Sequence, residues 1–264
     1  MPRFDLKTTL AGAVFAGLLS LAAATSPAAA AGSTVPPEEE WPHGGVNSFS
    51  FKTFDRAALQ RGFQVYKQVC SACHAMHLLS YRNLEALGYS EEEIKAIAAE
   101  YEVTDGPNDQ GEMFTRPALA SDRFRSPFPN AKAAAAANNG KAPPDLSLIV
   151  KAREHHEDYV FHLLTGFVDP PEGVTVPDGA YYNQYYPGHL IAMPPMLFDD
   201  GVTYEDGTPA TAVQQARDVT QFLAWAAEPH MEARRSMGVK VILFLMVFAG
   251  LLYMTKRRIW ETAH

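Results

Sequence analysis

The sequence predicts a mainly α-helical domain with long loop insertions, followed by a single C-terminal transmembrane helix. Three observations lead there. Two well-separated segments, near residues 55–69 and 211–227, carry capped helical periodicity. The stretch 103–142 between them is rich in Pro, Asn and Asp and poor in periodicity. Residues 237–254, MGVKVILFLMVFAGLLYM, are apolar except for Lys240.

The chain has 264 residues, 47% of them hydrophobic, so a substantial core is expected. Residues 1–31 are set apart. Arg3 and Lys7 precede an apolar run over 10–24 and a small-residue tract over 26–31, the three-part pattern of a secretory signal. The run is shorter than the ~18 residues of a membrane span. It also lacks the Arg- and Ser-rich amphipathic character of a mitochondrial presequence, so a bacterial exported protein is expected.

In the first helix Asp55 serves as N-cap, and Leu59, Gly62, Phe63 and Tyr66 make one packing face. Gly62 costs helix propensity, and its expected return is a close helix crossing. The second helix offers Val213, Ala216, Val219, Thr220, Leu223 and Trp225 as contacts, with Pro229 just beyond its end.

The tail segment spans about 27 Å at ~1.5 Å per residue, enough for a bilayer core. Lys240 can snorkel, and Tyr253 and Trp260 suit the far headgroup zone. Lys256, Arg257 and Arg258 follow the span, which points to a cytoplasmic C-terminus. The expected layout is signal peptide 1–31, periplasmic domain 32–235, transmembrane anchor 236–255 and cytoplasmic tail 256–264, in a bacterial inner membrane. Between residues 32 and 235 carboxylates outnumber Lys and Arg by 28 to 16. Such a field attracts basic partners and repels nucleic acid.

The only cysteines stand in Cys70-Ser71-Ala72-Cys73-His74, the C-x-x-C-H signature of covalent haem c attachment. Two thiols three residues apart can reach both vinyl groups on one porphyrin edge, and His74 then lies under the ring as an iron ligand. A thioredoxin-like site needs a βαβ setting, and a zinc site needs more ligands at wider spacing. One motif predicts one haem. With a helix on each side, the plan is a class I cytochrome c-like fold. No nucleophile–base arrangement stands out, so the expected role is electron transfer rather than catalysis by side chains.

A methionine opposite His74 would raise the reduction potential and close the iron. Met76 is too near His74 in sequence. Met113 follows a Gly/Asn/Asp loop. Met193 and Met196 flank two prolines in a stiff strap, and spacing does not choose between them. His155, His156, His162 and His189 are rival ligands.

Longer strings carry a resemblance: RGFQVYKQVCSACH (61–74), DGPNDQGEMFTRP (105–117), AANNGKAPPDLS (136–147), EDYVFHLLTG (157–166), YYPGHLIAMPP (185–195) and FLAWAAEP (222–229). In this order, ahead of a basic-flanked tail helix, they resemble the cytochrome c1 family, the haem c subunits of cytochrome bc1 complexes. The resemblance implies Met193 as sixth ligand, with His74 and Met193 holding the iron. It implies Arg153 as a propionate partner, Tyr159 beside it, and Asn138, Pro143, Pro144 and Ile149 as haem wall. It implies cytochrome b and a Rieske iron–sulfur protein as partners, with a cytochrome c as electron acceptor. A second cysteine pair seen in some bacterial relatives is missing here. Rival readings are an independent anchored electron carrier and a ligand-binding haem sensor or peroxidase.

Overall fold

The computed structural model describes residues 34–261, so the expected signal segment lies outside the described residues. Helix α1 (Arg56–Gln68) opens the domain; Asp55 caps it by accepting from the Ala57 and Ala58 amides. A 3₁₀ turn (Cys70–Ala72) and a 3₁₀ helix (Tyr81–Leu87) follow. Next come α2 (Glu91–Ala99), strands β1 (Glu102–Asp105) and β2 (Phe114–Pro117), and α3 (Ala131–Ala137). The order then runs α4 (His156–Thr165), β3 (Tyr181–Tyr182), β4 (Leu190–Ile191), α5 (Ala212–Ala227) and α6 (Met231–Glu261). The mainly helical expectation holds.

The α1–α5 crossing organises the core. Leu59, Gly62, Phe63 and Tyr66 are all buried, as their spacing requires. Phe222 lies 5.7 Å from both Phe63 and Tyr66, ring centre to ring centre. Gly62 sits at the point of closest approach. A Cβ there would lie 2.1 Å from the Asp218 carbonyl oxygen and 2.7 Å from the Phe222 Cβ. Arg61 locks the crossing, donating to fully buried Asp218 at 2.8 Å and to Asp206 at 2.8 Å. Thr211 caps α5 by accepting from the Gln214 amide. Of the α5 residues expected to pack, Ala216, Val219, Thr220, Leu223 and Trp225 are buried. Val213 is a correction: it is 56% exposed, because the first turn of α5 precedes the crossing.

The aperiodic stretch contains an antiparallel hairpin, β1 against β2, with Glu102 opposite Pro117 and Asp105 opposite Phe114. Polar contacts hold it. Arg116 donates to Asp105 at 2.5 Å and to Asp122 at 2.6 Å.

The segment before α1 is anchored by a buried pair. His43 Nε2 donates to Glu157 of α4 at 2.9 Å, and the Val46 amide donates to the same carboxylate at 2.7 Å. Desolvation pushes Glu157 up, but the hydrogen bonds from His43 and Val46 outweigh it, and the carboxyl lies below its ordinary value. A depressed carboxyl stabilises the fold above its unfolded value of 4.5, and that contribution is lost as pH falls through the lower folded value. Glu157→Gln is expected to cost ~3 kcal/mol, since removing one member of a buried pair strands the other. Urea denaturation of both proteins at neutral pH and near pH 4 checks this; the gap should shrink in acid.

Helix α6 leaves this domain. Its first residue, Met231, is fully buried, whereas residues 241–248 are exposed. Among the described residues it is the one helix long and apolar enough to cross a membrane. Its 31 residues reach about 46 Å at ~1.5 Å each.

Candidate functional site

The site begins where α1 ends. The Val69 amide closes the last helical turn on Val65 O at 2.9 Å. The chain then tightens, and the Cys70 carbonyl accepts from both Cys73 N at 3.1 Å and His74 N at 2.9 Å. One carbonyl thus gathers the whole motif into a single turn. Ser71 Oγ donates back to Lys67 O at 2.7 Å, tying the turn to α1. Both cysteines are free and half-buried.

His74 is oriented from across the site. Its Nδ1 donates to the Pro144 carbonyl at 2.7 Å. A carbonyl only accepts, so Nδ1 carries the proton and Nε2 keeps its lone pair. Desolvation lowers the His74 pKa, against the opposing pull of Pro144 and Asp145. The ring is held neutral, as a metal ligand must be.

The Pro144 loop is laced to the chain after His74. Leu146 N donates to Ala75 O at 2.9 Å, and Leu78 N donates to Ser147 Oγ at 3.1 Å. Asp145 Oδ2 accepts from His77 N at 2.8 Å and from His77 Nδ1 at 2.5 Å. Ser126 Oγ lies 2.9 Å from the far nitrogen of that ring. Sequence reading missed Asp145, Ser147, His77 and Ser126. The D-x-S spacing was the available signal, and it forms a turn in which Ser147 N donates to Asp145 Oδ1 at 2.8 Å.

The other residues that the resemblance implies as haem contacts lie at several places around the turn. Arg153 and Tyr159 are brought together: desolvation raises the Tyr159 pKa, and the neighbouring guanidinium opposes it. Arg153 also donates to Ala152 O at 3.0 Å. Asn138 ends α3, donating to Ala134 O at 2.8 Å. Pro143 is half-buried, and Ile149 packs against the main core. Met193 is half-buried just after β4, which pairs antiparallel with β3. Met196 is 42% exposed and Met113 60% exposed, while Met76 is fully buried in the core.

The rival histidines have local tasks. His156 Nδ1 donates to Val150 O at 3.1 Å, and His155 is exposed at φ 61°. His162 pairs with Glu39 at 3.3 Å. His189 donates to Asn183 O at 3.2 Å and stacks on Tyr182.

The donor set fits a covalently held haem. A neutral imidazole offers Nε2, and two thiols share one turn. Burial, with Cys73 adding, pushes the Cys70 thiol up to about 12. A thioether carries no charge and suits this buried setting. Fold and site together define a class I c-type cytochrome with a membrane-length tail helix.

The Cytochrome C1 family profile matches residues 45–263. A cytochrome b/c1 of Bradyrhizobium diazoefficiens is 49% identical over 96% of the chain, which spans 39% of that longer protein. A mitochondrial cytochrome c1 haem protein of Arabidopsis thaliana is 54% identical over 89% of the chain and 76% of its own length. Cytochrome c1 of Rhodospirillum rubrum is 48% identical over 85% of the chain and 87% of its own length. The chain belongs to the cytochrome c1 family, and its cofactor is one covalently bound haem c.

Proposed function

We propose that the chain is the electron-transfer haem subunit of a ubiquinol:cytochrome c oxidoreductase (bc1) complex, assembled with cytochrome b. It takes electrons from a Rieske iron–sulfur protein and passes them to a cytochrome c. The observation that carries this reading is the coincidence, in one chain of this family, of the C-x-x-C-H turn with its oriented His74 and the membrane-length α6.

When bound, the haem supplies reversible one-electron chemistry at its iron. The protein's part is to hold, orient and insulate it. Cys70 and Cys73 would fasten it, and His74, its ring held by the Pro144 carbonyl, would offer Nε2 to the iron. Met193, on its proline-stiffened strap, would be the iron's other protein ligand. Arg153, with Tyr159 beside it, neutralises a propionate. Asn138, Pro143, Pro144 and Ile149 would wall the ring and limit its access to water. The acidic surface steers a basic partner toward the exposed edge, an attraction that salt screens.

Residues 32–235 lie on the periplasmic side of a bacterial inner membrane, 236–255 cross it, and 256–264 lie in the cytoplasm. The charge pattern supports this layout, with Lys256, Arg257 and Arg258 beyond the span. Affinity purification of the tagged full chain from gently solubilised membranes tests the assignment. Cytochrome b and the iron–sulfur protein are expected to co-purify. Recovery of the chain alone would favour an independent anchored carrier.

A further inference from the structure

The loop at residues 44–53 has no place in the electron-transfer reading, yet it is tightly built. Arg235, two residues before the apolar stretch of α6, gathers it. One terminal nitrogen donates to His43 O at 2.9 Å and Lys52 O at 3.3 Å. The other donates to Gly45 O at 2.6 Å and Ser48 O at 3.0 Å. Glu232, one turn earlier, accepts from the Phe54 amide at 2.7 Å and from Arg56 at 2.7 Å. The loop is therefore fastened at the level where α6 would enter a membrane.

The clamped loop displays two aromatic rings outward. Phe49 is 82% exposed and Phe51 67% exposed, and they meet edge to face at 5.5 Å. Phe54, just beyond, is buried. Two exposed apolar rings held beside a span's entrance suit burial in the boundary between headgroups and acyl chains. Beside it runs a groove of about 360 Å³ between the loop and the first turns of α6, lined by Phe51, Lys52, Glu232, Arg235, Val239 and Lys240 among others.

Charge selects the occupant. Three of these six residues are cationic, and Glu232, the one carboxylate among them, is taken up by Arg56. Lys52 is only loosely committed, at 3.2 Å to an exposed Glu40. Arg235 spends its terminal donors on neutral carbonyls, and Glu157, Glu228 and Glu232 act on it only through space. In a strongly acidic domain this is a local reversal of sign. Basic residues beside apolar wall at a bilayer surface match an anionic phospholipid: phosphate near Lys52 and Lys240, acyl chain along Phe51 and Val239.

We propose that Phe49 and Phe51 insert into the membrane interface as a second foothold beside α6, and that the adjoining groove seats an anionic phospholipid. This rests on α6 spanning the bilayer, so the test must separate the two claims. Because haem attachment consumes Cys70 and Cys73, a cysteine introduced elsewhere is the single labelling site for a nitroxide. Full-length holoprotein labelled at Phe49→Cys, at Met246→Cys in the span, or at Glu92→Cys on acidic α2 is reconstituted in phosphatidylcholine vesicles, with or without phosphatidylglycerol. The ferrous form is read by electron paramagnetic resonance.

With phosphatidylglycerol present, the Phe49 label is expected to collide several-fold less with a water-soluble nickel chelate than the Glu92 label, while oxygen still reaches it. Adding Lys52→Gln and Lys240→Gln should return it toward water. Nickel access at Phe49 equal to that at Glu92, with Met246 in hydrocarbon, overturns the foothold and leaves the span intact. A Met246 label outside the hydrocarbon overturns both. Equal protection without phosphatidylglycerol overturns the anionic seat. Protection from nickel and oxygen only in the assembled complex makes the rings a protein contact and also overturns the proposal.

Discussion

Replacing Met193 with Leu is expected to lower the midpoint potential by on the order of 0.1 V or more, and to let carbon monoxide bind the reduced protein. Axial ligands move haem potentials over a range of ~0.8 V, and a thioether sulfur favours the ferrous state. Leucine nearly conserves volume, so the strap should keep its fold; what disappears is the sulfur. The residues around it support that selectivity. Met193 lies two residues beyond β4, whose pairing with β3 fixes the backbone, and Pro194 and Pro195 stiffen the other side. Met196 lies further along and is 42% exposed. Redox titration and a reduced-plus-carbon-monoxide difference spectrum of both leucine variants settle the choice. If Met196→Leu produces the change and Met193→Leu does not, the ligand assignment is wrong.

The second large effect belongs to Gly62. Gly→Ala inside a helix ordinarily gains up to ~1 kcal/mol from propensity. Here the added Cβ would meet the Asp218 carbonyl oxygen at 2.1 Å and the Phe222 Cβ at 2.7 Å. Neither atom is the loose end of a side chain. Relief requires α1 and α5 to separate, which opens the Phe63–Phe222–Tyr66 aromatic cluster and strains the Arg61–Asp218 bonds. Overpacking of this kind costs ~3 kcal/mol or more, so the clash outweighs the propensity gain. Thermal melts of holoprotein should show Gly62→Ala lowered by roughly 6–12 °C. A melting temperature equal to or above the parent's would mean that the crossing tolerates a side chain.

Much of this was readable from residue order, for an identifiable reason. The cap at Asp55, the buried face of α1, the cysteine–histidine turn and the tail helix are all local patterns. Each is decided within a few residues by hydrogen bonding or periodicity. Gly62 was readable because a helix former is absent where the pattern demands one. What escaped notice depends on distant partners. His43 and Glu157 are 114 positions apart, and nothing near either betrays the other. The β1–β2 hairpin is half-exposed and held by Arg116, so it carries no apolar alternation to read. Val213 fits the periodicity of α5 and is still exposed, since periodicity gives a face and not the length over which that face is covered. At the site, the cysteines and His74 declared themselves through spacing. The bracing by His77, Asp145 and Ser126 joins three separate loops and required coordinates.

Only residues 228–230 separate α5 from α6, and Met231, immediately after them, is fully buried. The haem domain therefore has no swivel above its stalk. On the proposed membrane layout, the domain's height and tilt are set by α6 itself. Electron tunnelling falls steeply with separation, so a centre mounted this stiffly cannot shorten its own gaps.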